Sequence, residues 1–426
     1  MSSDYSRPSV SGLLQDAASL LLYQSVLADE IGQALLALLH RLHHNDHRNA
    51  CLSAYGEFFK LLADANQTWQ SHLVNRILSD QNPFSRQVQF TALEALPPAL
   101  VEAAQNDLYA LKSLYNLSGK SLSLLVKTAC QLKYSPTVWE SSFQADHFLH
   151  NTERWQSVLP QLAQYYQTYG CGIFAQYYAF TWQKGELVGI SNPDPITLHE
   201  IVGYDWQKET LEKNTEFLLR GYSALNVLLY GSRGSGKSSL VKGLLNQYRF
   251  QGLRLVEVPK SELKDLPIIL EQLRGQPQKF IIFVDDLSFE EDDDAFKALK
   301  VVLEGSVTAK AQNVVVYATS NRRHLIREFF EDRPRPSDQD EVHAWDTVQE
   351  KLSFSDRFGL TLTFEPANQE TYLSIVHHLA ALAQISLSKE ELEFRAKQWA
   401  TRHNGRSGRS ARQFINFLQG ELSSQR

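Results

Sequence analysis

The chain has 426 residues, which is enough for two or three domains. Hydrophobic residues make up 43% and charged residues 21%, a balance typical of globular proteins, and this excludes disorder along the whole chain. Lysine and arginine total 42 against 48 aspartates and glutamates. The formal net charge of −6 excludes a protein that binds nucleic acid through its overall charge, although it leaves room for a local basic patch.

The cysteines and the apolar segments indicate the compartment. Cys51, Cys130 and Cys171 form neither a CxxC pair nor a zinc-type group, so we expect reduced thiols inside a cell. The N-terminus has no apolar stretch after a basic start and does not resemble a signal peptide. The uncharged segment 155–183 contains six glutamines and Pro160, which makes it too polar to cross a membrane. These features predict a cytoplasmic protein without membrane contact.

The first part of the chain is predicted to be helical. Its apolar residues recur at steps of three and four, the spacing of amphipathic helices. Pro83, Pro97 and Pro98 fall between these patterns, where helices are expected to break. Two short strands are then predicted on either side of Lys184. We assign residues 1–185 to a mostly helical N-terminal domain of unknown role.

The pattern of apolar residues changes after residues 191–198, where two prolines with polar neighbours indicate a domain boundary. Short runs rich in β-branched and aromatic residues now alternate with helical patterns, which predicts a parallel sheet covered on both faces. The predicted strands are 227–230, 253–258, 280–284, 314–319 and 360–364. We assign residues 195–366 to an α/β domain and residues 367–426 to a C-terminal helical subdomain.

A phosphate-binding loop follows the first of these strands. Residues 231–238 read Gly-Ser-Arg-Gly-Ser-Gly-Lys-Ser, which matches GxxxxGK[ST] between a strand and a helix. The glycines let successive N–H groups point at phosphate oxygens, and the helix N-terminus adds its positive end. Lys237 is predicted to hold the β- and γ-phosphates of ATP, and the Ser238 hydroxyl to ligate Mg²⁺. The predicted nucleotide-binding residues here are Gly231, Ser232, Arg233, Gly234, Ser235, Gly236, Lys237, Ser238 and Ser239.

Two carboxylates follow the apolar strand 280–284. Asp285 and Asp286 stand at its carboxyl end, the edge where open α/β sheets bind their ligands. Asp285 is predicted to join Ser238 around Mg²⁺, a cation that prefers oxygen ligands. Asp286 is predicted to polarise the attacking water.

The order of these parts resembles an AAA+ ATPase over about residues 195–420. The resemblance implies that Asn321, in Tyr-Ala-Thr-Ser-Asn, helps to place the water. It also implies that Arg357, in Phe-Ser-Asp-Arg-Phe-Gly, is an arginine finger that faces the γ-phosphate of a neighbouring subunit in a homo-oligomer. More narrowly, YGSRGSGKSSLVKGLL, FVDDLSFEEDDDAFKALKVVLEGS, YATSNRRHL and SFSDRFGL resemble a bacterial family of P-loop ATPases catalogued as a domain of unknown function (number 815).

One position departs from the AAA+ pattern. Many AAA+ proteins carry Glu directly after the Mg²⁺-binding Asp, whereas this chain has Asp286. Its side chain is one methylene shorter, which predicts slow hydrolysis. The resemblance does not extend to the first 180 residues, so it assigns them no partner.

Two arginines in the C-terminal helical subdomain, which the resemblance makes a lid, are candidates for the sensor-2 position. Arg409 and Arg412 lie one turn apart at the start of a helical pattern, where a guanidinium would connect the lid to the γ-phosphate. The sequence does not choose between them, and we favour Arg409. The alternative is a solvated basic face. With Lys397, Arg402 and Arg406 it leaves a basic patch for nucleic acid or an acidic protein surface.

Other conspicuous features receive plainer interpretations. His40, His43, His44 and His47 follow helical spacing, but no carboxylate accompanies them, so we interpret them as a solvated helix end rather than a metal site. The acidic run 290–294 and the proline-rich run 332–340 are interpreted as exposed loops, and Arg322 and Arg323 as interface or surface cations.

Two functions remain in competition. The first is an AAA+ ATPase that hydrolyses Mg·ATP at subunit interfaces and remodels an unidentified protein or nucleic-acid partner of the N-terminal domain. The second is a nucleotide-gated interaction module with negligible turnover. Asn321 and Arg357 favour turnover, whereas Asp286 and the large N-terminal domain favour the switch.

Overall fold

The computed structural model describes residues 9–44, 46–140, 147–288, 294–304, 311–321, 357–403 and 405–424. The chain forms two compact units, Met1–Gln176 and Tyr177–Arg426. We call them unit 1 and unit 2.

The described part of unit 1 is helical, as the three- and four-residue spacing predicts. Its α-helices are α1 (Val10–Ala18), α2 (Glu30–His43), α3 (Arg48–Asp64), α4 (Trp69–Ser79), α5 (Pro83–Val88), α6 (Pro98–Tyr115), α7 (Gly119–Ala129), α8 (Phe148–Asn151), α9 (Leu159–Tyr169) and α10 (Ile173–Gln176). One cluster of buried apolar side chains forms their common core.

Local chemistry explains where these helices begin. The Asp29 side chain accepts a hydrogen bond from the Gly32 N–H at 2.9 Å and caps α2. Asn82 and Ser85 form a reciprocal capping box around α5, whose first residue is Pro83. The prolines that indicate breaks in the sequence therefore stand at helix starts, where a missing N–H costs nothing.

A buried carboxylate fixes the turn between α1 and α2. Asp107 on α6 is 1% exposed. Its oxygens accept hydrogen bonds from three successive backbone N–H groups, those of Leu21, Leu22 and Tyr23, at 2.7 to 3.1 Å. Because these three N–H groups belong to a turn more than 80 residues away in the sequence, the contact ties α6 to a distant part of the chain.

Unit 2 is built on a mixed sheet. In the described residues its strands are β1 (Ala179–Gln183), β2 (Glu186–Ile190), β3 (Val227–Gly231), β4 (Leu253–Glu257), β5 (Lys279–Val284), β6 (Val314–Ser320) and β7 (Leu360–Phe364). The strand order is β2-β1-β4-β5-β6-β3-β7. All neighbours pair in parallel except β1 and β2. Every residue of β6 is buried, as expected for a central strand covered on both faces. The predicted α/β class and its five parallel strands are confirmed.

The hairpin of β1 and β2 lies elsewhere than the predicted boundary implies. We assigned it to the N-terminal domain of residues 1–185, but it belongs to unit 2, which begins at Tyr177. The reason is tertiary: β1 pairs in parallel with β4, with Ala179 opposite Leu255, and so extends the sheet. A local pattern predicts two strands but not which sheet they join.

The sheet of unit 2 is accompanied by α11 (Asp205–Leu219), α12 (Lys237–Tyr248), α13 (Leu266–Leu273) and α14 (Asp294–Glu304). Three further helices follow β7: α15 (Gln369–Leu382), α16 (Lys389–Arg402) and α17 (Gly408–Ser424). These three share a separate apolar core around Tyr372, Val376 and Phe414. They lie where the sequence predicts a C-terminal helical subdomain.

Two simpler expectations concern thiols and membranes. Cys51, Cys130 and Cys171 are buried and free of disulfides. Within the described ranges, the helices are too short or too polar to cross a membrane.

Candidate functional site

The loop between β3 and α12 has the conformation that phosphate binding requires. Gly231 has φ 138°, and a Cβ atom there would lie 2.0 Å from the carbonyl oxygen of Phe364 on β7. Only glycine fits this approach. Gly234 and Gly236 also have positive φ angles, of 74° and 93°. The chain therefore curls tightly before α12, whose N-terminus opens at Lys237.

Lys237 lies at the base of this loop and is 7% exposed. Its Nζ donates to the carbonyl oxygens of Gly231 at 3.0 Å and Ser232 at 2.7 Å, and to Asn321 Oδ1 at 3.4 Å. Burial lowers the pKa of Lys237, and the charge of Arg409 also lowers it, while Asp285 and Asp286 act in the opposite direction. An ammonium group held in this way is positioned to receive an anion.

A short chain of oxygen atoms joins α12 to the ends of β5 and β6. Ser238 Oγ donates to Asp285 Oδ1 at 2.6 Å, and Thr319 Oγ1 donates to the same oxygen at 2.5 Å. The backbone N–H of Asp286 donates to Thr319 Oγ1 at 2.9 Å. Three side-chain oxygens therefore converge beside the helix N-terminus, the donor type that Mg²⁺ prefers.

Asp286 and Asn321 form a second pair next to this group. Asn321 Nδ2 donates to Asp286 Oδ1 at 2.6 Å. The Asp286 backbone has φ 52°, in the left-handed region that few residues other than glycine adopt. Its side chain is exposed to the cavity described next. Strained backbone of this kind is concentrated at functional sites.

These groups line one cavity of about 690 Å³ in unit 2. One part of its wall is apolar and consists of Ile196, Ile201 and Val202 before α11, with Ile375 and Leu379 on α15. The polar lining comes from the loop, the two aspartates and Asn321. A cavity with both polar and apolar lining suits a ligand that has both characters.

Both candidate lid arginines line this cavity, in different settings. Arg412 donates from a guanidinium nitrogen to Glu200 Oε2 at 2.9 Å. Arg409 donates its backbone N–H to the Gly234 carbonyl oxygen at 3.2 Å, and its charge lowers the pKa of Lys237. The structure therefore separates two residues that the sequence leaves equivalent.

Arg357 stands away from the cavity. It precedes β7, whose Leu360 is opposite Val227 at the start of β3, whereas Gly231 at the end of β3 is opposite Phe364. The phosphate loop and Arg357 thus lie toward opposite ends of these strands, with about 13 Å of strand between them, four steps of roughly 3.3 Å. Among the described residues that line the cavity, Arg357 does not occur.

The predicted binding residues fall into two groups. Arg233, Gly234, Ser235, Gly236, Lys237, Ser238, Ser239, Asp285, Asp286, Asn321, Arg409 and Arg412 line the cavity. Gly231 and Ser232 do not line it but provide the carbonyl oxygens that hold Lys237.

Sequence reasoning missed three contributions. Thr319 is the hydroxyl that links Asp285 to the Asp286 backbone. Glu200 is the partner of Arg412, and the apolar wall comes from segments that the sequence does not single out. For Thr319, its place at the carboxyl end of a predicted strand was an available signal.

Some of the conspicuous residues in the sequence lie outside the described part of the chain. Arg322, Arg323, residues 332–340 and most of the acidic run 290–294 lie outside the described residues. Of the histidines, His40 and His44 stack with ring centroids 6.4 Å apart at the end of α2. Within the described part of the chain, no group of three or more His, Cys, Asp or Glu side chains has the arrangement of a metal site.

Known structures similar to this one include RuvB from Thermotoga maritima. One RuvB variant aligns with a TM-score of 0.34 at 16% identity and covers 53% of this chain and 72% of RuvB. The RuvB described as a Holliday junction branch migration motor aligns with a TM-score of 0.32 at 15% identity over the same shares.

A curated relative matches a shorter region. The replication factor C large subunit of Methanococcus vannielii is 27% identical over 145 residues. The match covers 31% of this chain and 29% of that subunit, so the chain spans less than a third of the relative's length.

A family model matches residues 175–422, which is more than half of the chain and contains the described strands and all the residues that line the cavity. The chain therefore belongs to the family described as "Protein of unknown function (DUF815)", and its unit 2 is an α/β fold with a phosphate-loop sequence between β3 and α12.

Proposed function

We propose that this protein binds Mg·ATP in the cavity of unit 2 and hydrolyses it with the help of a second copy of the chain. The observation that carries the proposal is the convergence of Lys237, Ser238, Asp285, Asp286 and Asn321 on the N-terminus of α12. An ammonium group, hydroxyl and carboxylate oxygens and a side-chain amide meet there, which supports a role in phosphoryl transfer.

The phosphates would be held by the loop and by Lys237. The backbone N–H groups of residues 231–238 and the helix N-terminus attract anions. Lys237 now donates to two carbonyl oxygens, and both bonds lie within the loop that the phosphates would enter. The ammonium group therefore needs no large movement to reach the β- and γ-phosphates.

The oxygen donors fit a magnesium ion. Ser238 Oγ and Asp285 Oδ1 lie 2.6 Å apart, and both belong to the hard donor class. They would hold Mg²⁺, which when bound neutralises charge on the phosphate oxygens. Thr319 keeps the Asp285 carboxylate oriented through its 2.5 Å bond.

Asp286 and Asn321 would orient the attacking water. The Asp286 carboxylate would accept a hydrogen bond from the water. The Asn321 amide holds that carboxylate in place through the 2.6 Å bond. The apolar wall of Ile196, Ile201 and Val202 with α15 would hold the base. The Arg409 guanidinium would bind the γ-phosphate, since its charge already acts on Lys237.

Arg357 would act on the nucleotide of the next subunit. Its position toward the opposite end of the strands, with about 13 Å of strand between it and its own phosphate loop, supports action in trans rather than in cis. The required assembly is a homo-oligomer with head-to-tail contacts.

The trans arrangement is tested with Arg357→Ala. We expect ATP binding within about twofold of the parent and a fall in turnover of about 10³–10⁵, the contribution of a finger supplied in trans. Mixing Arg357→Ala with Lys237→Ala should restore part of the activity, because an intact finger then meets an intact phosphate loop. Parent-like hydrolysis by Arg357→Ala, independent of protein concentration, would refute it.

The hydrolysis cycle would drive remodelling of an unidentified protein or nucleic acid bound by the helical N-terminal region. We propose a division of labour among this region, the α/β domain of residues 195–366 and the helical subdomain of residues 367–426.

The competing function is a nucleotide-gated interaction module. The observation in its favour is Asp286, whose short side chain is already bonded to Asn321. Steady-state phosphate release by the full chain, with and without cell extract, distinguishes the two. Turnover stimulated by extract supports the motor, whereas ATP-dependent capture of a partner without phosphate release supports the switch.

A further inference from the structure

The two lid arginines at the start of α17 have different partners, and this difference suggests different tasks. Arg412 is paired with Glu200 at 2.9 Å, and the two side chains are 43% and 23% exposed. Arg409 lies one turn earlier, against Gly234 of the phosphate loop.

Glu200 is also held in place by contacts within its own short segment. It ends a short 3-10 segment, Leu198–Glu200, and its Oε1 accepts from the Thr197 N–H at 3.0 Å. Its other oxygen, Oε2, is the one that accepts from Arg412. Burial by itself raises the pKa of Glu200, but the Thr197 backbone and Arg412 outweigh it, so the pKa lies below its usual value.

The same short segment is fastened to the nucleotide-binding helix. Leu198 packs so closely on Gly243 of α12 that a Cβ there would lie 2.7 Å from the leucine side chain. Asn246, also on α12, donates to the carbonyl oxygens of Asp194 and Ile196 at 2.8 and 2.7 Å. A side chain bonded to Glu200 is therefore held at a fixed position relative to α12.

A second contact joins this segment to the lid. His378 Nε2 on α15 lies 2.8 Å from the His199 carbonyl oxygen, and the two imidazole rings are 4.9 Å apart. Two of the three lid helices thus touch consecutive residues, His199 and Glu200. The segment is the point at which the lid's orientation is set relative to the cavity.

We propose that Glu200 and Arg412 form a latch that holds α17 over the cavity, so that Arg412 is a positioning residue and Arg409 is the arginine of α17 that contacts the phosphates. The proposal rests on the proposed nucleotide site. It predicts that the latch governs how fast nucleotide escapes, whatever the number of phosphates, because neither partner of the pair reaches them.

Nucleotide release tests the latch through a double-mutant cycle. The probe is a fluorescent ATP analogue, chased with excess ATP in a stopped-flow instrument. Glu200→Gln keeps an oxygen for the Thr197 N–H but removes the charge, and Arg412→Ala removes its partner. Each should speed release about three- to tenfold, a modest factor because the pair is partly exposed.

The double variant decides the role of Arg412. In a latch, Glu200→Gln/Arg412→Ala releases the analogue no faster than either single variant, because the second change has nothing left to break. If Arg412 contacts phosphate, its loss multiplies the effect of Glu200→Gln, and the proposal is overturned. Arg409→Ala is the matched control, and its effect should multiply with that of Glu200→Gln.

The corresponding ADP analogue adds a readout that loss of packing would not give. Breaking the latch should accelerate ATP and ADP release by the same factor, whereas Arg409→Ala should affect ATP more. Arg412→Lys, which keeps the charge, should stay within about threefold of the parent. A larger ATP than ADP effect for Arg412→Ala would contradict the latch.

Amide hydrogen exchange on nucleotide-free protein separates failure of the latch from failure of the nucleotide site. Amides 410–415 of α17 should exchange about three- to tenfold faster in Glu200→Gln and Arg412→Ala. Glu216→Gln, which breaks the Glu216–Arg220 pair at the C-terminal end of α11 but keeps an oxygen for the Tyr248 hydroxyl, should leave them unchanged. Unchanged exchange in the first two variants overturns the latch. A parent protein that binds no analogue refutes the nucleotide site but leaves this test intact.

Discussion

Asp107 in unit 1 and Asp286 in unit 2 are the same side chain put to opposite uses. Asp107 is 1% exposed and accepts from three successive backbone N–H groups. Asp286 is exposed to a cavity, bonds one amide side chain and stands on left-handed backbone. A carboxylate whose bonding capacity is used within the core stabilises the fold, whereas one that faces a cavity keeps capacity for a ligand.

Their surroundings show the same division. Around Asp107 every bond comes from the main chain, so the charge serves to fix a turn. Around Asp286 stand Lys237, Asp285 and Asn321, which are chemically active and line an open space. What distinguishes the two carboxylates is therefore what their oxygens face: the Asp107 oxygens face backbone N–H groups, and the Asp286 side chain faces a cavity.

The largest effect that would sharpen this comparison is expected at Asp286. Asp286→Asn keeps the size and suits the left-handed backbone, but it removes the charge that orients water. We expect ATP turnover to fall by about 10²–10⁴, with ATP affinity and stability near the parent values. Phosphate release and calorimetry measure the two quantities. Unaltered turnover would make Asp286 a structural residue like Asp107.

Lys237→Ala should give the next largest effect. Loss of a charge-assisted contact to phosphate corresponds to about 1.5–3 kcal/mol, or roughly ten- to a hundredfold in ATP affinity. The fold should survive, because within the described residues the lysine bonds to carbonyl oxygens of its own loop and to Asn321, and not to side chains of the apolar core. Titration calorimetry with ATP checks the affinity. A variant with undiminished affinity would remove the phosphate-loop assignment.

Asp107→Asn should give the smallest effect, and of the opposite kind. The amide retains one accepting oxygen but turns an N–H group toward backbone donors. We expect a loss of about 1–2 kcal/mol in the free energy of unfolding of unit 1. Denaturant titration measures it, and ATP affinity should not change. If the variant instead lost ATP binding at undiminished stability, the division between the two carboxylates would fail.

The fold of unit 2 is readable from the sequence because its strands are short apolar runs with clear boundaries. The run 280–284 predicts β5 (Lys279–Val284) to within one residue, and 360–364 matches β7. The hairpin of β1 and β2 is different. Its strands are visible locally, but its membership in the sheet depends on pairing between Ala179 and Leu255, 76 residues apart, which no local pattern records.

The residues of the site also fall into those that one local segment predicts and those that only folding brings together. The phosphate loop is one contiguous segment, so its residues are predicted together. Glu200 and Arg412 are 212 residues apart, and Thr319 meets Asp285 across 34. Such pairs exist only after folding, and the choice between Arg409 and Arg412 required the partner that each side chain finds.

The left-handed backbone at Asp286 also bears on which sequences this site tolerates. At φ 52° the short, polar residues Asp and Asn are favoured, and β-branched residues are strongly disfavoured. A longer Glu would reach further toward a water but would lose the conformational preference that Asp has. The mutational neighbourhood of position 286 is therefore narrow for reasons of backbone shape as well as chemistry. In a library of variants selected for folding alone, we expect Asn and Gly to be retained there and Val, Ile and Thr to be depleted.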